Sequence, residues 1–150
     1  MIKITLRIGL AALVLIGSLN SAALAQGLFD PVISVNRAAI TAYELEQRER
    51  FLEILQRSSG MAQRARDSLI GDRLKMAAAD QASIKLSAAQ VTKAMDDFAG
   101  NANFDLDQLL ATLAQSGVDA QTFRDFIKVG VTWRELVRAR FAARSAPSEA

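Results

Sequence analysis

Apolar residues recur at helical spacing along most of the chain, in five blocks separated by polar or glycine-containing breaks. The first block opens on Thr41-Ala42-Tyr43-Glu44. This fits a capping box, in which a hydroxyl caps the first turn and a glutamate three residues on caps back. It predicts a helix from about Ala42 to Arg57, with Leu45, Arg48, Leu52 and Leu55 on one side and Phe51 beside them; Ser58-Ser59-Gly60 ends it. A second helix is expected from about Met61 to Ala79, with Leu69, Ile70, Leu74, Ala77 and Ala78 as its buried stripe. Ser87-Ala88-Ala89-Gln90 is another capping box and opens a third helix whose inner face is Val91, Ala94, Met95 and Phe98. Gly100 to Asn103 reads as a loop, and Asp105 caps a fourth helix carrying Leu106, Leu109, Leu110 and Leu113 at i, i+3, i+4, i+7. Gly117 stops it and Asp119 caps the last and longest helix, about Ala120 to Ala143. That helix carries two stripes: Phe123, Ile127, Gly130, Val137 and Phe141 on one, Phe126, Val129, Trp133 and Leu136 on the other. Two stripes predict a helix packed on two sides.

One piece alternates like strand. Val32-Ile33-Ser34-Val35 and Ala38-Ala39-Ile40 flank Asn36-Arg37, which reads as a two-residue hairpin turn. A hairpin this short is marginal in water and must pack on something. The only prolines, Pro31 and Pro147, bracket a proline-free stretch, as helices require. The expected fold class is therefore all-α: about five helices, a short N-terminal β-hairpin and a long C-terminal helix covered from two sides. Gly71 and Gly130 fall inside helices, where each costs up to about 1 kcal/mol relative to alanine; close helix approach is the expected reason.

The N-terminus has a different pattern. Lys3 and Arg7 precede Ile8 to Leu19, an uncharged and mostly apolar run of 12 residues, and Ala23-Leu24-Ala25 supplies a small-x-small cleavage pattern. The run is short of the roughly 20 apolar residues a spanning helix needs. Residues 1–25 thus read as a signal peptide cut between Ala25 and Gln26, which would leave no stable membrane anchor and place the product in the periplasm. Residues 26–144 form the expected domain. Residues 145–150 start a linker or a further segment, since Ala146-Pro147-Ser148-Glu149 looks like the cap of another helix.

Charge and composition narrow the function classes. The 18 Lys and Arg exceed the 16 Asp and Glu by two, and Lys3 and Arg7 account for that excess. The rest is neutral overall, so no basic body is present to hold a nucleic acid. Cys and His are both absent, which excludes disulfides, thiolate chemistry, the usual zinc sites and imidazole general-base catalysis. Asn101, Asn103, Asp105 and Asp107 resemble the opening of a calcium loop, but Leu106 and Thr112 stand where that loop needs Gly and Glu, so a loop followed by a helix cap is expected. Asp96-Asp97 reads as a solvated helix face rather than a catalytic dyad, because neighbouring helix residues point about 100° apart. No catalytic residue, metal site or cofactor is expected. Arg134, Arg138, Arg140 and Arg144 cluster near the C-terminus, where a helix dipole favours cations.

Met61, Met76 and Met95 could supply an adaptable peptide-binding surface, methionine being flexible and polarisable, although helical spacing also suits them to a plain core. Phe98 and Trp133 are read the same way, core first and polypeptide contact second.

The order of these pieces resembles a known family. The hairpin from Val32 to Thr41 is followed by Leu69-Ile70-Gly71-Asp72-Arg73-Leu74-Lys75-Met76, Ile84-Lys85-Leu86-Ser87, Phe104-Asp105-Leu106-Asp107-Gln108-Leu109 and Gly117-Val118-Asp119-Ala120-Gln121-Thr122-Phe123-Arg124. Over about Val32 to Phe141 this is similar to the N-terminal domain of SurA-type periplasmic chaperones, which also carry parvulin-type peptidyl-prolyl isomerase domains. The resemblance implies an ATP-independent chaperone module that binds unfolded outer-membrane proteins or other exported polypeptides. It implies no catalytic residue in this chain, because no parvulin segment is present. Two alternatives stand beside it: part of a peptidyl-prolyl isomerase whose catalytic domain lies outside this chain, and a structural envelope domain, for which a swapped homodimer is one form.

Overall fold

The structure, a computed structural model, describes residues 27–145, with side chains to residue 142. The expected signal segment, its Ala25/Gln26 cleavage point and the segment after 145 lie outside the described residues. The order is β1 (Pro31–Val35), β2 (Ala38–Thr41), α1 (Ala42–Gln56), α2 (Ala62–Gln81), α3 (Ala88–Asn101), α4 (Leu106–Gln115) and α5 (Ala120–Ser145). The chain is all-α with one short antiparallel hairpin.

The hairpin turns where the sequence places it. Asn36 and Arg37 both take positive φ, 48° and 70°, as the two central residues of a type I′ turn must. Val35 then pairs with Ala38, Ser34 with Ala39 and Ile33 with Ile40, with an irregularity between Ile33 and the Pro31–Thr41 pair. Ile40 anchors the ribbon in the core, fully buried, while Val32 faces outward. Arg73 of α2 clamps it: its Nε and Nη2 donate to the Ala39 carbonyl at 3.1 and 2.9 Å, and its guanidinium pairs with Glu44. Glu44 also accepts from the Thr41 backbone N–H at 2.9 Å, completing the capping box that starts α1.

Of the four predicted side-chain caps, those at Thr41, Ser87 and Asp105 form. Thr41, Ser87 and Asp105 accept from the N3 backbone N–H, and Glu44, Gln90 and Gln108 bond back. The helix ends are less glycine-dependent than expected. After α4, Gly117 takes φ +74°, and the Val118 N–H reaches the Leu113 carbonyl while the Gly117 N–H reaches Ala114, both at 2.9 Å. This is a Schellman turn, with its usual apolar contact between buried Val118 and Leu113. After α3 the same pattern is built on Asn103, φ 61°, and after α2 on Ser83, φ 57°. Gly100, expected as a breaker, lies within α3. Asparagine tolerates the left-handed region because its short polar side chain can bond locally, so it can replace glycine there.

The main core gathers Phe51, Val91, Met95, Leu113, Val118, Phe123 and Ile127. Phe51 meets Phe123 and Phe126 at centroid distances of 6.0 and 5.1 Å, and Phe98 meets Phe123 at 5.3 Å. Such tilted aromatic pairs contribute about 0.5–1.5 kcal/mol each beyond their area. A smaller cluster of Leu52, Met61 and Ala65 joins α1 to the start of α2.

Four expectations about faces need correction. The buried stripe of α2 is Ala65, Leu69, Asp72 and Ala79, and Leu74 is 48% exposed. The stripe was misplaced because its true line passes through an aspartate, a residue type ordinarily assigned to solvent. On α1, Leu55 is exposed, whereas Gln47 is buried beside Arg48. On α5 the two-sided cover holds for the first half only. Phe123, Ile127 and Val129 are buried there and Phe126 half-buried, while Trp133 and Val137 further along are exposed. Gly71 and Gly130 do not mark close helix approach: a Cβ at either would meet no atom within 4 Å.

Candidate functional site

α2, α3 and α5 do not close completely on one another. Between them lies a cleft of about 630 Å³, lined by Ala94, Phe98, Phe126, Ile127, Val129 and Gly130 on its apolar side and by Asp72, Lys75, Asp97, Asn101 and Arg134 on its polar side. The apolar wall follows from the packing. Phe98 and Phe126 are the half-buried outer members of the aromatic cluster, each turning one side to the core and leaving the other to the cleft. Gly130, with no side chain, keeps the cleft open along α5.

The polar groups differ in how far they are already engaged. Asp72 is held in the wall by Arg48, whose Nη1 donates to its Oδ2 at 2.8 Å and to the Ser68 hydroxyl at 2.7 Å. The Arg48 guanidinium lies 5.4 Å from the centre of the Phe126 ring, a cation–π distance. Asp72 Oδ1 faces the Lys75 ammonium at 3.6 Å, too long for a hydrogen bond. Asp97 takes a two-pronged contact from Lys93 at 2.8 and 2.9 Å. That bond, together with the charge of Asp97, holds the Lys93 ammonium above the usual lysine pKa. Arg134 has no ion-pair partner among the described residues. It also stands eleven residues before the end of α5 at Ser145. The helix dipole acts within the last turn, so dipole complementation does not account for Arg134.

The five residues expected to contact polypeptide do not form one surface. Phe98 lines the cleft. Met76 lines a second, smaller hollow of about 260 Å³ with Asp80, Ile84, Lys85, Leu86, Lys128 and Thr132. Trp133 is 40% exposed on α5. Met61 and Met95 are buried core residues. Phe126 and Val129, assigned in the sequence to a packed stripe of α5, are packed there and also line the cleft, and the polar side was not foreseen as a group. Its residues come from three helices, so no local spacing relates them.

The remaining chemistry-like patterns resolve into structure. Asn103 forms the turn after α3 and Asp105 caps α4. Asp97 pairs with Lys93 on an exposed helix face. Among the described residues no group of three or more acidic side chains is placed to hold a metal ion, and no helix is long and apolar enough to cross a membrane.

Comparison with protein-family models matches residues 32–137 to the SurA N-terminal domain. The chain belongs to the SurA N-terminal domain family. The matched span runs from β1 to the point on α5 just beyond the cleft, so the cleft lies wholly inside the SurA N-terminal domain. That family is periplasmic and chaperone-related. No curated protein and no solved structure matches the chain.

Proposed function

We propose that this SurA-type domain is an ATP-independent periplasmic holding module, delivered by a signal peptide at residues 1–25, that binds unfolded outer-membrane proteins. The observation that carries the reading is the cleft between α2, α3 and α5. It sets an aromatic and aliphatic wall beside a charged rim, and its volume falls within the 300–1,000 Å³ usual for ligand clefts. Outer-membrane strands alternate apolar and polar side chains, and their apolar band is exposed until they insert. An apolar side chain laid against Phe98, Phe126 and Val129 loses water-exposed surface at about 25 cal/mol per Å². A single side chain gives weak, reversible binding, which suits a holdase that must release its client without nucleotide. Trp133 and Val137, exposed further along α5, extend the apolar surface available to a long client.

The test is aggregation of a urea-unfolded outer-membrane protein diluted into buffer, followed by light scattering, with and without the chain from Gln26 onward. Suppression at near-stoichiometric ratios is expected. A chain that is folded by circular dichroism yet leaves the aggregation rate unchanged would overturn the reading.

A further inference from the structure

We infer that the cleft prefers polypeptide segments in which an apolar side chain lies close to a carboxylate, and that Arg134 is the residue that reads the carboxylate. This deepens the reading above and rests on it. The argument is charge complementarity. Two carboxylates line the cleft, and the protein already neutralises both: Asp72 through Arg48 and Lys75, Asp97 through Lys93. Once these are matched, the cleft is left with a cationic surplus, and Arg134 is its one lining cation with no ion-pair partner among the described residues. Its guanidinium presents a planar fork of donors suited to a carboxylate. Asn101, in the same lining, has a side-chain amide with no hydrogen bond among the described residues, and it can donate to a second oxygen or to a backbone carbonyl. The neighbouring wall of Phe126, Ile127, Val129 and Gly130 would take the apolar partner. A basic segment would meet the same surplus as repulsion. Sequence-tolerant binding with a charge bias is then built into one site, the apolar wall supplying affinity and Arg134 the preference.

The experiment uses the chain from Gln26 and three dye-labelled extended peptides that alternate apolar and polar positions. They are identical except for one central polar residue, which is Glu, Gln or Lys, and binding is read by fluorescence anisotropy at low salt. The Glu peptide should bind most tightly and the Lys peptide least. Arg134→Gln should weaken the Glu peptide about threefold and Arg134→Glu about tenfold, with the Gln peptide changed less than twofold, as suits a partly exposed ion pair. The advantage of Glu over Gln should shrink as salt rises. Gly130→Leu, which fills the open wall, should weaken all three peptides together. Equal binding of the three peptides, with no response to Arg134→Gln, overturns the inference while leaving the holdase reading intact. If no peptide binds, or Gly130→Leu changes nothing, the cleft is not the site and both fall. A doubled mass in light scattering that Gly130→Leu returns to that of a monomer would show a second copy of the chain as the occupant, and would also overturn the inference.

Discussion

Arg48 on α1 and Asp72 on α2 form an ion pair with 2.8 Å between Nη1 and Oδ2, and their side chains are only 3% and 8% exposed. Both sit on stripes that otherwise read as apolar, twenty-four residues apart in sequence. The pair does three things. It fixes the register of α1 against α2, it places Arg48 over Phe126 of α5, and it puts a carboxylate into the wall of the cleft. A buried pair of this kind is weak support for stability in itself, because desolvation cancels much of the attraction. Arg48 Nε is moreover buried without a partner, a further cost. Its value lies in specifying which faces of the three helices meet.

Removing one partner should therefore be much worse than removing both. Asp72→Ala leaves the buried Arg48 charge with only Ser68 and the Phe126 ring. It should cost about 3–5 kcal/mol, toward the lower end because the cleft admits water. Arg48→Met combined with Asp72→Leu should recover most of that loss. Urea melts of the two single variants and the double variant form the check. Additive losses would show that the pair is uncoupled and would refute this account.

Gln47 ties α1 to the α4–α5 junction. Its Nε2 donates to the Gly117 carbonyl at 3.1 Å, and its Oε1 accepts from the Asp119 backbone N–H at 2.8 Å and the Thr122 hydroxyl at 3.3 Å. Tyr43, one turn earlier, donates its hydroxyl to the Asp119 carboxylate. Gln47→Ala should cost about 1–3 kcal/mol, because it strands polar groups that the fold has taken from water. Amide hydrogen exchange should locate the damage at Asp119, whose N–H should lose protection before the rest of α5. Uniform loss across the chain would contradict the local role.

Elements that follow local rules were legible in the sequence. The capping boxes at Thr41 and Ser87, the Asp105 cap, the Asn36-Arg37 turn and the leucine spacing of α4 all depend on residues within a few positions of one another. What was not legible depends on tertiary context. The α2 stripe was misread at Asp72 because a charge is buried only if a partner arrives from elsewhere, and Arg48 comes from another helix. Gln47 gave no signal for the same reason. Phe98 was picked out as a contact residue on chemistry alone and does line the cleft. Met61 and Met95 were picked out on the same grounds and are core. Side-chain type does not distinguish the inside of a helix bundle from a groove on it.

Ser83 ends α2 at φ 57°, where a side chain is strained. For an L-residue the left-handed helical region costs roughly 1–2 kcal/mol. Glycine escapes that cost but adds freedom to the unfolded chain. Ser83→Gly should therefore stabilise the domain modestly, by up to about 1 kcal/mol. Gly117→Ala, at φ +74° with an added Cβ only 3.1 Å from the Arg50 Nη1, should destabilise it by a similar amount. Thermal melts showing shifts of the same sign for both would contradict the cap geometry.

The two helical glycines separate stability from binding. Both Gly71 and Gly130 lie within long helices, and an added Cβ at either meets nothing within 4 Å. Each should accept alanine with a gain of up to about 1 kcal/mol from helix propensity alone. Gly130 lines the cleft and Gly71 does not. Gly71→Ala should therefore raise the melting temperature and leave suppression of client aggregation unchanged. Gly130→Ala should raise the melting temperature while weakening suppression, since the new methyl occupies space where a client side chain would lie. Measuring both variants in the same melt and the same aggregation assay makes the comparison internal. Equal chaperone activity in the two would mean that the open wall of α5 has no part in holding clients, and that the glycine there serves neither packing nor binding.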